Sequence, residues 1–212
     1  MARILITSGP TRQYIDPVRY ISNASSGRMG CCLVEAALKA GHEVVLVSGP
    51  VDIQYPFEAE LFSVLTTDDM LEAATKLFPD CDGMIGVAAP CDYKPIEVAD
   101  HKIRKTGQAL ELKLTETPDV VALLGANKQS CQWTVGFALE TDDARFRAIT
   151  KLQKKNCDLV VLNGPAAINA SDNEVEIIAP DGTVIQAIKG PKAIIASQIL
   201  AVIEKRLIPT PK

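Results

Sequence analysis

Short apolar runs alternate with helical periods along most of this chain, and this alternation constrains the fold more than any other feature. Several of the runs are apolar on both faces, as is typical of parallel strands that helices cover on each side. The runs are 3–8, 43–47, 61–65, 83–88, 133–138 and 158–162. The sequence therefore predicts an α/β fold with a doubly wound, mostly parallel, Rossmann-like sheet and helices on both faces.

The segments between the runs predict the helices. Apolar residues of 28–40 recur at i, i+3, i+4 and i+7, and Gly41 stands where a helix-ending glycine belongs. Thr117, Pro118 and Asp119 predict the start of a short helix that Gly125 closes. Further helices are predicted over 67–78, 141–156 and 190–207.

Composition and charge exclude several classes of protein. Apolar residues make up 47% of the 212 residues and charged residues 23%, which excludes disordered, collagen-like and coiled-coil chains and fits one domain, 1–212. A net charge of −4 gives no general attraction for nucleic acid or a membrane surface, so neither is expected as a partner. No signal peptide opens the chain and the six cysteines form no CxxC motif, which predicts reduced thiols and a cytoplasmic protein.

One segment that breaks the alternation predicts an interaction element. In 102–114 a turn at Gly107 is followed by Leu110, Leu112 and Leu114 in alternation with polar residues, which predicts a projecting β-hairpin with one apolar face. Nothing adjacent in sequence covers that face, so we expect it to make a homodimer contact. A second hairpin, 173–178 with 183–188, is expected to finish the sheet edge.

The loop after the first strand is the first candidate for a binding site, since ligands of open α/β sheets bind at the carboxyl ends of strands. About fifteen residues separate this strand from its helix, far more than such loops usually have. Ser25, Ser26 and Gly27 stand at the helix N-terminus, where free amides and hydroxyls suit an anion. A serine N-cap followed by a packing glycine is an equally weighted alternative.

The segment after the fourth strand is the second candidate. Ala88 and Ala89 would let a ligand approach the backbone, and Asp92 is suited to a hydroxyl pair or a metal. Lys102, Arg104 and Lys105 are suited to phosphates, with Lys102 and Arg104 on one face of the predicted hairpin and Lys105 on the other. For each of these cations a solvated surface position is the favoured alternative.

The fifth predicted strand and the helix after it add an aromatic residue and a pair of lysines. Phe137 is suited to core packing or to flanking a base, and core packing is the favoured interpretation. Lys151 and Lys155 lie four residues apart on one predicted helix face. They indicate a shared anionic partner or, more simply, a solvated helix end where cations suit the dipole.

Known catalytic templates do not fit this sequence. It has no GxSxG, HExxH, GxxxxGK[ST] or GxGxxG, and only two histidines, His42 and His101, which disfavours histidine triads and metal sites. We predict no protein-built metal site. The remaining amides, lysines, aspartate and asparagine suit the stabilisation of phosphate charge during group transfer from a nucleotide.

The same segments resemble phosphopantothenoylcysteine synthetase (phosphopantothenate–cysteine ligase), the second module of the bacterial bifunctional coenzyme A enzyme. The matches run in the family's order from about Arg3 to Leu207. They are TSGPTR (7–12), IDPVRYISN (15–23), SSGRMG (25–30), VSGP (47–50), AA (88–89) with DY (92–93), KIRK (102–105), PD (118–119), GFA (136–138) with ET (140–141), and DL (158–159).

The resemblance implies a reaction in two steps. The carboxylate of 4′-phosphopantothenate attacks the α-phosphate of a nucleoside triphosphate, which releases pyrophosphate and leaves an acyl-nucleotide. The amine of L-cysteine then displaces the nucleoside monophosphate and forms the amide. Family members use CTP or ATP together with Mg²⁺, and the bacterial type of the motifs favours CTP.

The resemblance also implies roles for individual residues. As catalytic residues, Asn23 would hold the acyl-nucleotide carbonyl and Lys102 would neutralise charge at the α-phosphate. The implied nucleotide-binding residues are Gly86, Ala88, Ala89, Asp92, Lys102, Pro118, Asp119, Val120, Phe137, Lys151 and Lys155. Those implied for the other substrate are Arg19, Asn23, Ser25, Ser26 and Gly27. Segment 102–114 matches the region through which family members dimerise.

The sequence departs from the family pattern in three loops. Pro90-Cys91 stands where bacterial members usually have Val-Ala, Lys94 replaces a common Arg, and Asn163-Gly164-Pro165 stands where Asn-Asp is usual. These departures concern loop shape rather than the side chains with implied roles. The flavin-binding decarboxylase module of many bacterial members is absent, so we expect a separate decarboxylase in the pathway.

Two other functions stay open on the residues alone. An NAD(P)-linked reductase would suit a Rossmann-like sheet, but GxGxxG is missing and no acidic ribose partner follows Val47. A non-catalytic nucleotide-binding module would bind CTP or ATP without releasing pyrophosphate.

Overall fold

The computed structural model describes residues 1–139, 143–163 and 172–209. Its strands are β1 (Arg3–Ser8), β2 (Arg12–Tyr14), β3 (Tyr20–Ser22), β4 (Glu43–Ser48), β5 (Glu60–Ser63), β6 (Gly83–Gly86), β7 (Tyr93–Pro95), β8 (Leu114–Glu116), β9 (Trp133–Leu139), β10 (Leu159–Asn163), β11 (Asp172–Ile178) and β12 (Val184–Pro191). Its α-helices are α1 (Arg28–Lys39), α2 (Thr67–Leu77), α3 (Val120–Asn127), α4 (Ala144–Lys154) and α5 (Lys192–Leu207). Within the described ranges, no helix is long and apolar enough to cross a membrane.

Eight strands form one sheet in the order β12-β11-β10-β9-β6-β1-β4-β5. The six strands from β10 to β5 are parallel to one another, whereas β11 and β12 pair antiparallel. The predicted doubly wound, mostly parallel sheet is thereby confirmed, as is the hairpin at its edge. Because β1 pairs with β4 on one side and β6 on the other, the strand order reverses between β1 and β6, where such sheets bind ligands.

The core lies in two layers, one on each face of the sheet. Ile4 and Ile6 of β1 pack on the face covered by α1 and α5, together with Leu33 and Ile199. Leu5, the residue between them, packs in the opposite layer with side chains of α2 and α3. A central strand therefore needs apolar residues on both faces, which is the physical reason for the continuous apolar runs.

The start of α3 differs from the prediction. Asp119 is the N-cap, and its carboxylate accepts the N–H of Ala122 at 3.0 Å. Thr117 does not cap the helix because its hydroxyl donates to the carbonyl of Cys91 instead. Gly125 lies inside α3 rather than at its end. A Cβ added to Gly125 would stand 2.1 Å from the carbonyl oxygen of Lys155, so the close approach of that backbone requires glycine. The predicted start of α4 at 141–142 lies outside the described residues.

A small antiparallel hairpin is present in this region, but not with the bounds 102–114 that the sequence predicted. Residues 102–113 form no strand, and β8 begins at Leu114 and pairs with β7. Leu110, Leu112 and Leu114 are exposed by 55%, 40% and 41%. The two strands that pair here are therefore β7 and β8, and of the three alternating leucines only Leu114 lies in a strand.

Candidate active site

A cleft of about 320 Å³ opens at the carboxyl ends of β1, β6 and β9, where the strand order reverses. The predicted nucleotide-binding residues that line it are Gly86, Ala88, Asp92, Pro118, Asp119, Val120, Phe137 and Lys155. Those predicted but not lining it are Ala89, Lys102 and Lys151. The structure thus brings side chains from four separated parts of the sequence to one place.

Asn23 lies beside the cleft, although 66 residues separate it from the loop that follows β6. Its amide nitrogen donates to the carbonyl oxygens of Ala89 at 3.2 Å and Pro90 at 2.8 Å. Both amide hydrogens are used in these two bonds. Asn23 therefore ties the long first loop to the loop that carries the alanine pair.

The N-terminus of α1 begins with a glycine that the structure requires. Gly27 is the N-cap with φ of 73°, and a Cβ there would meet the side chain of Val51 at 2.8 Å and the Tyr55 hydroxyl at 3.0 Å. No side chain caps this helix, so the serine N-cap interpretation is wrong. The Ser25 hydroxyl accepts the N–H of Gly27 at 3.5 Å, and Ser26 is half-buried before it. The anion site stays a prediction.

A buried carboxylate organises the first loop. Asp16 is fully buried and accepts the N–H groups of Val18 at 2.8 Å, Arg19 at 2.9 Å and Ile103 at 3.1 Å. The Arg19 guanidinium contacts it at 2.7 Å and also donates to the carbonyl of Ile103. Arg19, implied as a substrate ligand, is therefore already oriented by Asp16. Lys102 is exposed next to Ile103, in the segment that this pair of residues fixes.

Burial alone would raise the pKa of Asp16, but the hydrogen bonds from Val18, Ile103 and Arg19 outweigh burial and lower its pKa to about 2. An ordinary aspartate has a pKa of 3.8. The folded state therefore holds the carboxylate at a pH at which the unfolded chain already binds a proton.

We expect the contribution of Asp16 to the free energy of unfolding to be full and constant above the ordinary pKa of 3.8, and to be lost as the pH drops from there to about 2. Urea unfolding of the wild type and Asp16→Asn across that window measures this, since the variant should show a flatter profile. Glu58→Gln, an exposed carboxyl between β4 and β5, should keep the wild-type profile. Equal slopes for the wild type and Asp16→Asn would contradict the assignment.

The lysines lie at the C-terminal end of α4. Lys155 is the C-cap residue, and its ammonium pairs with the Asp119 carboxylate at 3.0 Å. Lys154 also lines the cleft, whereas Lys151 is an exposed residue of the last turn. Asp119 thus serves two elements, because one oxygen caps α3 and the other holds Lys155.

Several residues of the cleft were not predicted from the sequence. They are Thr7, Pro90, Cys91, Tyr93, Glu116, Thr117 and Val121. Thr117 joins two walls, because its N–H donates to the Asp92 carbonyl at 2.9 Å and its hydroxyl to the Cys91 carbonyl at 2.5 Å. The signal available in the sequence was its position directly before the Pro118-Asp119 motif.

Other features of the described chain add no second centre of chemistry. A cavity of about 270 Å³ between α2 and α3, lined largely by apolar side chains, lies away from the sheet reversal. Within residues 1–139, 143–163 and 172–209, no three His, Cys, Asp or Glu side chains cluster as metal ligands. All six cysteines are free. Burial raises the pKa of Cys91 and, to about 11, that of Cys157, which disfavours thiolate chemistry by these two residues.

The chain was compared with known proteins. The model of the DNA/pantothenate metabolism flavoprotein C-terminal domain family matches residues 1–207. Coenzyme A biosynthesis bifunctional protein CoaBC of Vibrio vulnificus (strain YJ016) is 42% identical over 185 residues, which are 84% of this chain and 46% of that protein. The chain spans about half the length of the curated relatives it matches.

Two solved structures are similar over nearly the whole chain. The C-terminal domain of a CoaBC bifunctional protein has a TM-score of 0.81 at 38% identity and covers 97% of this chain and 95% of that chain. Cab2 variant H337A, solved with phosphopantothenate-cysteine, has a TM-score of 0.77 at 18% identity and covers 96% of this chain and 86% of that chain. At 18% identity, the similarity to the Cab2 structure shows a shared fold alone.

The match over nearly the full length, the 42% identity and the shared parallel sheet agree with one another. This chain belongs to the DNA/pantothenate metabolism flavoprotein C-terminal domain family, the family of the phosphopantothenoylcysteine synthetase domain of CoaBC.

Proposed function

We propose that this chain is a phosphopantothenate–cysteine ligase of coenzyme A biosynthesis. It joins 4′-phosphopantothenate and L-cysteine through an acyl-nucleotide and releases pyrophosphate and a nucleoside monophosphate. The observation that supports this most is the convergence of the family's motif residues, from separate loops, on one cleft at the sheet reversal. Membership of the family supplies the reaction type.

The cleft is suited to a nucleotide. Asp92 is exposed on its wall and takes the ribose hydroxyls, while Phe137, Pro118 and Val120 lie by the base. Gly86, Ala88 and Ala89 present backbone to the ligand. A Cβ on Gly86 would stand 2.5 Å from the side chain of Val121, so this part of the wall accepts little else than glycine.

The cations serve the first step. Lys151 and Lys155 hold the β- and γ-phosphates, which become the leaving pyrophosphate when the carboxylate attacks the α-phosphate. Lys102 neutralises the charge that develops at the α-phosphate and the acyl carbonyl. A preorganised cation at such a position stabilises the transition state more than the ground state.

The first loop serves the second step and the acyl substrate. Arg19 and the Ser25-Ser26-Gly27 turn bind phosphopantothenate, whose phosphate suits the free amides at the start of α1. Asn23 holds the acyl carbonyl while the amine of L-cysteine attacks it. For this, one amide hydrogen of Asn23 changes its acceptor from a backbone carbonyl to the acyl oxygen.

Mg²⁺ fits the site as a partner of the nucleotide. The carboxylates that line the cleft are Asp92, Glu116 and Asp119, and one or two carboxylates together with phosphate oxygens are an ordinary Mg²⁺ environment. Bound there, Mg²⁺ would neutralise phosphate charge. We propose CTP rather than ATP as the co-substrate because the motif set is of the bacterial type.

We also propose that the chain acts as a homodimer. Leu110, Leu112 and Leu114 are exposed in segment 102–114, and a second copy would cover these apolar side chains. Sedimentation of the wild type and of a variant with Leu110 and Leu112 changed to serine measures the oligomeric state.

The proposed function is tested by pyrophosphate release with phosphopantothenate, Mg²⁺ and either CTP or ATP, with and without L-cysteine. Release with one nucleotide, and amide formation only with cysteine, would establish the ligase, its nucleotide and the order of steps. Nucleotide binding without any pyrophosphate release, from folded protein, would indicate a binding module instead.

We expect Lys102→Gln to lower the rate of pyrophosphate release by about 10²-fold, as is typical for loss of one electrostatic group in an active site. Steady-state kinetics with saturating nucleotide measure the change. Lys105→Gln, three residues further along the same exposed segment, removes an equal charge and serves as the control. Equal rates in the two variants would remove Lys102 from the proposed mechanism.

A further inference from the structure

The peptide that precedes Asp92 is held by three threonine hydroxyls. The N–H of Cys91 donates to Thr11 Oγ1 at 2.8 Å. The Cys91 carbonyl accepts from Thr67 Oγ1 at 3.2 Å and from Thr117 Oγ1 at 2.5 Å. These threonines come from the first loop, the start of α2 and the turn before α3, so three elements meet behind the cleft residue Asp92.

The buried part of this network has one consistent arrangement of hydrogens. Gln13 Nε2 donates to Thr67 Oγ1 at 3.0 Å, and the hydroxyls of Thr11 and Thr67 are 2.9 Å apart. Because the single Thr67 hydrogen goes to the Cys91 carbonyl, Thr67 accepts from both Gln13 and Thr11. Thr11 and Thr67 are fully buried and Gln13 is 4% exposed. A fully satisfied buried network of this kind is rigid.

The first turn of α2 is itself fixed and contacts the Asp92 loop at a second point. Thr66 and Asp69 form a reciprocal capping box, with bonds of 3.0 and 2.9 Å. Asp68 pairs with Lys94 at 2.6 Å. The turn therefore holds the loop at Cys91 and at Lys94, on either side of Asp92.

We infer that Thr67 is a positioning residue for Asp92, so that a helix start outside the cleft sets how the cleft recognises the ribose of the nucleotide. The inference rests on the proposed function, which places the ribose hydroxyls at Asp92. Thr67 acts through the Cys91 carbonyl, and without its hydroxyl the buried donors of Gln13 and Thr11 lose their acceptor.

The test compares binding of CTP and 2′-deoxy-CTP by calorimetry, because selectivity for ribose reports the placement of Asp92 rather than general stability. Because 2′-deoxy-CTP lacks a hydroxyl that donates to the Asp92 carboxylate in the proposed complex, we expect the wild type to bind CTP about tenfold or more tightly than 2′-deoxy-CTP. We expect Asp92→Asn and Thr67→Val to lose most of this preference and Thr67→Ser to retain it. Thr75→Val makes the same replacement on an exposed position of α2 and should behave as the wild type.

The outcomes separate the inference from the proposed function. Full ribose selectivity in Thr67→Val, with selectivity lost in Asp92→Asn, would overturn the positioning role and leave the ligase proposal intact. A wild type that binds neither nucleotide would contradict the proposed function. In that case amide hydrogen exchange at Cys91 and Asp92 tests the positioning role without a nucleotide. Faster exchange in Thr67→Val than in Thr67→Ser would support it, and equal exchange would overturn it. Thr67→Ala replaces the valine variant if that variant does not fold.

Discussion

Replacing Asn23 by aspartate is expected to lower amide formation by about 10³-fold, near the upper end for loss of one hydrogen-bond donor in an active site. The amide nitrogen of Asn23 donates to the carbonyl oxygens of Ala89 and Pro90. A carboxylate oxygen in its place would face two carbonyl oxygens, be repelled by both, and offer nothing to the acyl carbonyl. Acyl-nucleotide should accumulate, because cysteine attack depends on that donor more than pyrophosphate release does.

Quenched reactions with labelled nucleotide measure both the intermediate and the amide. Asn127→Asp is the matched control, since the Asn127 amide also donates to a backbone carbonyl, that of Leu123 at 2.8 Å, but beside the second cavity. That variant should turn over normally. Normal turnover by Asn23→Asp would count strongly against the proposed mechanism.

Replacing Gly49 by alanine is expected to destabilise the protein by about 3 kcal/mol, the upper end for inserting one group into a tightly packed position. A Cβ at Gly49 would stand 1.7 Å from the carbonyl oxygen of Pro10. That contact is with backbone, which a rotamer change cannot relieve. Pro10 bridges to Ala89, so the displaced chain would also pull on the loop beside Asn23. Thermal unfolding should show a decrease of roughly 10 °C in Tm.

Gly41→Ala is the control that distinguishes the steric clash with Pro10 from the general cost of replacing a glycine. Gly41 has φ of 83° and no atom within 4 Å of an added Cβ, so only the left-handed backbone is penalised, by about 1 kcal/mol. Similar decreases in Tm for the two variants would show that contact with Pro10 is not what requires glycine at position 49.

The sheet was predictable from the sequence because its strands are buried on both faces. Ile4, Leu5 and Ile6 must all be apolar when helices cover each side, and such runs have no other common explanation at their length. The cleft followed from the same argument, since ligands bind where the strand order reverses. Asp92 follows β6 and Phe137 lies near the end of β9, and the ends of these two strands meet there.

What the sequence did not predict depends on contacts between distant loops. Leu110, Leu112 and Leu114 alternate as a hairpin would, but the segment pairs only through β8 with β7. The sequence predicts Thr117 as a helix cap, but its hydroxyl donates to the carbonyl of Cys91, 26 residues away. The bonds from the Asn23 amide to the carbonyls of Ala89 and Pro90 were not predicted either, while its role toward a substrate stays a prediction. No local pattern encodes these choices.

The pair between Lys155 and Asp119 has a consequence for how the proposed reaction ends. In the proposed mechanism a bound triphosphate competes for Lys155 with Asp119, a carboxylate that is 47% exposed to water. Asp119 keeps its place at the start of α3 through its other oxygen, so the exchange need not disturb the helix. In that mechanism Lys155 holds only the phosphates that leave as pyrophosphate, so we expect the pair with Asp119 to re-form once pyrophosphate has left. If the proposed roles hold, the Asp119 carboxylate is an internal competitor for Lys155 that favours release of the products over their retention.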